Sequence, residues 1–112
     1  PSRYEPCGLN QMYSLRYGTI PIVRATGGLK DTIKNLDKAG GKGNGFTFKE
    51  YSAKGLTRAV TKAVEYFGDS KRLRRVRERI MQEDHSWKRS AEEYRKLYKR
   101  AKGRVGMRLT TR

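Results

Sequence analysis

Tyr4-Glu5-Pro6-Cys7-Gly8-Leu9-Asn10-Gln11-Met12-Tyr13, and after it Gly18-Thr19-Ile20-Pro21-Ile22-Val23-Arg24-Ala25-Thr26-Gly27-Gly28-Leu29, decide the fold class. Pro6 removes an amide donor and Gly8 permits a tight bend, so Pro1 to Gly8 reads as the tail of a strand turning into a loop. Leu9, Met12, Tyr13 and Arg16 recur at i, i+3, i+4 and i+7, which predicts a helix from Gly8 to Tyr17 with Gly18 in a left-handed cap. Thr19 to Ala25 is short, β-branched and nearly continuous in apolar character. That is the pattern of a strand buried on both faces, with Pro21 at its start or edge. Thr26-Gly27-Gly28 then bends the chain into a short helix over Lys30 to Leu36, with Leu29, Ile33 and Leu36 on one side.

Working outward, Asp37 to Gly45 holds four glycines and two lysines, the composition of a mobile loop. Gly45-Phe46-Thr47-Phe48 predicts another short strand whose phenylalanines face one layer. Ser52 is placed to cap a helix with Leu56, Val60, Ala63, Val64 and Phe67 as its stripe, closed by Gly68-Asp69. A second helix carries Leu73, Val76 and Ile80. Ser86 opens a third, in which Trp87, Ala91, Tyr94, Leu97, Tyr98 and Ala101 share a packing face and Gly103 is the stop. Strand, helix, strand, short helix, strand and then helices is the order of a parallel α/β sheet, of which this is about half. Residues 1–102 form that unit, and 103–112 read as a basic, frayed tail.

The chain has 112 residues and a formal charge of +16, from 27 Lys and Arg against 11 Asp and Glu. This bounds it to one small domain with a thin core. No run approaches the roughly 18 apolar residues that span a bilayer, and the amino end lacks the charged-then-apolar layout of a secretory signal, so neither insertion nor export is expected. The lone Cys7 and the distant His85 make no metal-ligand spacing, and a reducing compartment fits best. The chain opens at Pro1 in a dense run of Pro, Gly, Cys and aromatic residues, and is expected to be a piece of something longer. Lys71, Arg72, Arg74, Arg75, Arg77 and Arg79, then Lys96, Lys99, Arg100, Lys102 and Arg104, raise the alternative of a nucleic-acid-binding module. Basic residues interleaved with core positions are more often a solvated face, and any such affinity would be non-specific and salt-sensitive.

The turn Glu5 to Asn10 is the sharpest candidate site. Unsatisfied amides where a helix begins favour an anion such as phosphate, and Gly8 lets a ligand approach the backbone. Glu5, beside those amides, would accept hydrogen bonds from sugar hydroxyls or face a developing positive charge. On composition alone, a plain helix cap at Glu5 is preferred. Thr26, Gly27 and Gly28 lie at the carboxyl end of a strand, where ligands gather in α/β sheets, and are possible pocket lining. They serve equally as a bend. Arg24 reads either as a phosphate partner or as a solvated strand end, and Cys7 as a small residue suited to a crowded turn.

Glu5 to Tyr13, Arg16 to Arg24 and Thr26-Gly27-Gly28-Leu29-Lys30-Asp31-Thr32-Ile33, with Gly45 to Phe48 and Ser86-Trp87-Lys88-Arg89-Ser90-Ala91-Glu92-Glu93-Tyr94, resemble the C-terminal signature of bacterial glycogen synthases and plant starch synthases. The resemblance runs from Pro1 to Ala101. It implies the C-terminal half of a Rossmann-like domain in a two-domain GT-B enzyme. That enzyme would move glucose from ADP-glucose to the non-reducing end of an α-1,4-glucan with retention of configuration. It further implies that Glu5 is the essential carboxylate beside the donor glucose, and that Cys7, Gly8, Leu9 and Asn10 meet the donor sugar and diphosphate. No cofactor and no metal are implied, and the setting is cytoplasmic, or plastidial in a plant. Tyr13 stands where many GT-B relatives carry a ribose-binding Glu, so the ribose contact is unassigned. The family's Lys-x-Gly-Gly donor motif and its diphosphate-clamping Arg and Lys are not in this chain, so the chain alone is expected to be inactive.

Overall fold

The computed structural model describes residues 1–36 and 42–109, with the side chains of 104–109 excepted. In order the elements are α1 (Asn10–Arg16), β1 (Ile22–Arg24), α2 (Gly27–Thr32), β2 (Phe46–Phe48), α3 (Ala53–Phe67), α4 (Ser70–Met81) and α5 (Trp87–Leu109). The two strands are parallel, with Ile22 opposite Phe46, Val23 opposite Thr47 and Arg24 opposite Phe48. Parallel neighbours need a crossover, and α2 with the segment after it provides one. Pro21, which cannot donate, contributes its carbonyl to the Phe46 N–H at 2.9 Å. β1 therefore begins after it.

One core joins both strands to α1 through α4: Leu15, Val23, Leu29, Ile33, Phe46, Tyr66, Val76 and Ile80 are buried together. Phe46 meets Tyr66 edge-on, with ring centroids 5.6 Å apart. Phe48 lies under α3 at Gly55, where a Cβ would stand 3.3 Å from the Phe48 ring. The alternating phenylalanines thus face one layer, as expected. Ser52 caps α3 by accepting the Gly55 N–H at 3.0 Å, and Asp69 caps α4 by accepting the Arg72 N–H at 3.0 Å. Gly18 takes φ +70°, the left-handed cap expected after α1.

Several expectations are corrected. Residues 1–8 form no strand among the described residues; a strand needs a ladder partner, and here the segment instead gives backbone carbonyls to α2. The buried face of α1 is Gln11 and Leu15, not Leu9, Met12, Tyr13 and Arg16, because a polar Gln11 sits where apolar spacing does not find it. α2 starts at Gly27 and ends at Thr32, and Ile33 is already extended. Of the loop expected to be mobile, 37–41 lie outside the described residues. Asn44, by contrast, is buried and tied in: it accepts the Lys34 N–H at 2.8 Å and donates to the Thr32 carbonyl at 3.0 Å and to Glu83 Oε2 at 2.9 Å.

The stripe of α3 is rotated by about one residue to Gly55, Ala59, Ala63 and Tyr66, small residues that let the helix approach the strands closely. Val60, Val64 and Phe67 are left outside. Finally, Gly103 does not stop α5, which continues to Leu109; Gly is tolerated inside a helix at a cost of about 1 kcal/mol. The expected frayed tail over 103–112 is helical as far as 109, and 110–112 lie outside the described residues. The packing face of α5 is also exposed, with Trp87 at 87% and Tyr98 at 67%.

Candidate functional site

The two glycine turns that stand out in sequence lie against each other. In the first, Gly8 has φ +69°, a conformation that L side chains rarely adopt, and it lets the chain swing from Cys7 into α1. The first helical hydrogen bond is Tyr13 N–H to the Leu9 carbonyl at 3.1 Å, so the amides of Asn10, Gln11 and Met12 precede any intrahelical partner. Leu9, at the cap position, offers no side-chain acceptor for them.

The second turn supports the first from beneath. The Gly28 N–H donates to the Glu5 carbonyl at 2.9 Å and to the Pro6 carbonyl at 3.1 Å. A Cβ on Gly27 would overlap the Glu5 carbonyl oxygen, and one on Gly28 would overlap the Cys7 carbonyl oxygen. Backbone rests directly on backbone, which only glycine allows at both positions. Gly27 also has φ +47°.

Beside this contact is an open depression of about 450 Å³ lined by Glu5, Cys7, Gly8, Leu9, Asn10 and Gln11, together with Ser2 and Leu29. All five residues singled out in the first turn therefore share one surface. Glu5 is half-buried and the Cys7 thiol is free and exposed. Thr26, Gly27 and Gly28 are not among the residues that line this depression: Gly27 and Gly28 stand behind it against the first turn, and Leu29 is the neighbour that reaches it. A larger hollow of about 810 Å³ opens where α5 leaves the body, between Met12, Thr32, His85 and Tyr94. Neither glycine turn contributes to it.

Other candidates resolve into structural roles. Arg24 donates to the carbonyls of Arg3 at 2.7 Å and Lys49 at 3.1 Å and lies 5.4 Å from the Tyr51 ring centroid, pinning the amino-terminal segment to the end of β2. His85 is in the connection between α4 and α5, its Nε2 3.1 Å from Glu83 Oε2. Tyr13, where the family resemblance leads one to expect a ribose-binding Glu, is exposed. Three of the arginines that suggested nucleic-acid binding are engaged within the fold. Arg72 stacks 4.1 Å from the Tyr66 centroid, Arg77 donates to the Gly18 carbonyl at 3.1 Å, and Arg79 donates to the Gly43 carbonyl at 2.6 Å. Among the described residues, no three His, Cys, Asp or Glu side chains gather as metal ligands.

Sequence pattern alone does not mark Gln11 or Thr32, yet both touch the first turn or its support. Gln11 is only 3% exposed. Its Nε2 donates to the carbonyls of Cys7 at 3.1 Å and Gly8 at 3.2 Å and to Thr32 Oγ1 at 3.1 Å, while Thr32 Oγ1 donates to the Gly28 carbonyl at 2.8 Å. The signal available in the sequence is a glutamine one helical turn before Leu15, on the face that the glycines leave room for.

A glycine turn after β1 packs backbone on backbone against a second one, ahead of α1, that carries the Glu5 carboxylate, and the class this parallel α/β arrangement matches is the GT-B glycosyltransferase catalytic domain. The solved catalytic domain of starch synthase IV from Arabidopsis thaliana, bound to ADP and acarbose, matches with TM-score 0.79 and 41% identity over 89% of this chain and 21% of that one. The chain belongs to the glycosyl transferases group 1 family, whose sequence pattern matches residues 1–81. It is 57% identical over 102 residues to the glycogen synthase of Thermosipho africanus, covering 90% of this chain and 21% of that protein. Against the glycogen synthase of Thermotoga petrophila it is 53% identical over 107 residues, covering 95% and 22%. The chain spans about a fifth of the length of these relatives.

Proposed function

We propose that this chain is the donor-binding part of a glucosyltransferase that moves glucose from ADP-glucose to the non-reducing end of an α-1,4-glucan with retention of configuration. The observation that carries the reading is the shared surface of Glu5, Cys7, Gly8, Leu9 and Asn10 on its glycine support. Breaking the glycosidic bond of a nucleotide sugar leaves negative charge on the diphosphate and positive charge on the sugar ring. Amides of the Gly8 to Asn10 segment suit the first, and preorganised donors do this work without reorganisation during the reaction. The Glu5 carboxylate suits the second, or accepts from sugar hydroxyls; it is not assigned as a covalent nucleophile. With a diphosphate neutralised by amides and basic groups, the reaction requires no metal. Kinship with glycogen synthases, and the ADP and acarbose carried by the starch synthase neighbour, support both substrates.

The rest of the enzyme, including a lysine-glycine donor motif and the basic clamp on the diphosphate, belongs to parts outside this chain. The apolar face of α5 packs on one of them, and the setting is cytoplasmic, or plastidial in a plant. In the full-length protein, Glu5→Ala is expected to lower kcat by about 100-fold or more while leaving the circular dichroism spectrum and unfolding midpoint in place. Glucosyl transfer from radiolabelled ADP-glucose is the readout, and near-normal transfer would remove Glu5 from the mechanism. The chain by itself is expected to show no turnover and only weak ADP-glucose binding. Micromolar affinity in a calorimetric titration would mean that the clamp is dispensable.

A further inference from the structure

We propose that Gln11 and Thr32 are positioning residues that aim the amides of the first turn, acting through a hydrogen-bond circuit that joins both glycine turns; this rests on the donor-binding reading above. The circuit starts at the Glu5 and Pro6 carbonyls, which accept from the Gly28 N–H. It crosses the Gly28 residue to its carbonyl, which accepts from Thr32 Oγ1, passes from there to Gln11 Nε2, and returns to the first turn at the Cys7 and Gly8 carbonyls. Every link is between 2.8 and 3.2 Å.

The peptide unit explains why this matters. A trans peptide is planar, and its C=O and N–H point in opposite directions. By holding the Cys7 and Gly8 carbonyls on its own side, Gln11 turns the N–H groups of Gly8 and Leu9 to the other side, away from the helix interior. Two successive amides then point the same way, at the segment proposed to meet the diphosphate. Two carbonyls as partners also fix which end of the Gln11 amide faces them, since only the NH₂ donates.

The arrangement leaves Gln11 Oε1 buried and without a hydrogen-bond partner among the described residues. A methionine of similar size would fill the same space with no orphaned acceptor. What the amide adds is direction: three acceptors, two in the first turn and one on the last residue of α2, are tied to one side chain. Gly8 belongs to the same fit, because a Cβ there would stand 2.6 Å from Gln11 Oε1.

The test uses the full-length protein with Gln11→Met, Thr32→Val and Thr32→Ser, with Glu5→Ala as control. Gln11→Met is expected to lower kcat/KM for ADP-glucose by about 100-fold, the scale of a small misplacement at a reacting centre, with KM for the glucan unchanged. Thr32→Val should lower it by about tenfold, and Thr32→Ser, which keeps the hydroxyl, should restore parental values. A merely structural role would reduce the amount of folded enzyme and move neither KM nor the difference between Val and Ser. Folded Gln11→Met with parental kcat/KM overturns the proposal, as do equal rates for Thr32→Val and Thr32→Ser. Loss of folded protein in both Gln11→Met and Thr32→Val, read by circular dichroism, also overturns it, because the circuit would then hold the fold and not the aim. If Glu5→Ala is as active as the parent, the donor-binding reading itself fails; if Glu5→Ala is inactive while Gln11→Met is parental, only the present inference fails.

Discussion

α4 and α5 follow one another in the chain and are both strongly basic amphipathic helices, yet they reach opposite ends. α4 has few apolar residues and buries Val76 and Ile80 almost completely, each 1% exposed. α5 carries Trp87, Tyr94, Leu97 and Tyr98 along one face and leaves all four exposed. α4 is held by specific donors as well as by packing: Arg77 reaches the Gly18 carbonyl and Arg79 the Gly43 carbonyl. α5 has 23 residues, about 35 Å of helix, and projects so that the molecule measures 65 × 31 × 23 Å. An apolar stripe states which face would gain from burial. Whether burial happens depends on having a partner, and for α5 the proposed partner lies in the remainder of the enzyme.

The difference is open to direct attack. Ile80→Ala should destabilise the folded chain by about 2–5 kcal/mol, the range for emptying a buried aliphatic site, read as a shift in the urea midpoint. Gly28→Ala should cost about 1–3 kcal/mol, since its Cβ would meet backbone that cannot step aside. It should also reduce ADP-glucose use in the full-length protein, because the displaced backbone is that of Cys7. Tyr98→Ala in the chain alone should stay within about 0.5 kcal/mol, as for other exposed positions. A cost matching that of Ile80→Ala would erase the contrast between the helices. A cost that grows when Tyr98→Ala is measured in the full-length protein would sharpen it, and would support the proposed docking of α5.

Much of this organisation is legible in the residues. The cap at Ser52, the left-handed Gly18 and the Phe46 to Phe48 strand follow from short-range rules that tertiary context does not override here. The first turn is legible because glycine and proline punctuate it. What escapes is burial decided by polar groups. Apolar spacing passes over Gln11 and Asn44, whose burial is compensated by hydrogen bonds to backbone carbonyls and amides. It finds Ala63 but misplaces the rest of the α3 stripe, because Gly55 and Ala59 are buried for being small, while the larger Val64 and Phe67 remain outside. The mutual contact of the two glycine turns, separated by about twenty residues, is a matter of three-dimensional closure that neither motif states alone.

The smallest expected effect concerns acid and the start of α5. The Asp84 carboxylate accepts the Ser86 N–H at 2.9 Å just ahead of the helix. Its pKa is held below the ordinary carboxylate range, first by hydrogen bonding from the Ser86 side chain and backbone, then by the charges of Arg89 and His85. Glu93 is lowered too, chiefly by its hydrogen bond from Lys96 at 2.7 Å. A group whose folded pKa is depressed contributes stability that is complete above its unfolded value and is lost as pH falls through the folded one. Both carboxylates are at the surface, so the contribution is small and screened by salt. Acid titration followed by far-ultraviolet circular dichroism should therefore show a shallow loss of helix below the ordinary carboxylate range. The loss should arise at the exposed α5, before the Val76 and Ile80 core gives way. Asp84→Asn, combined with Glu93→Gln, should flatten that early phase and leave the main transition unmoved. An unaltered early phase in the double variant would mean that acid loosens the body first, reversing the order of stability that the packing of the two helices implies.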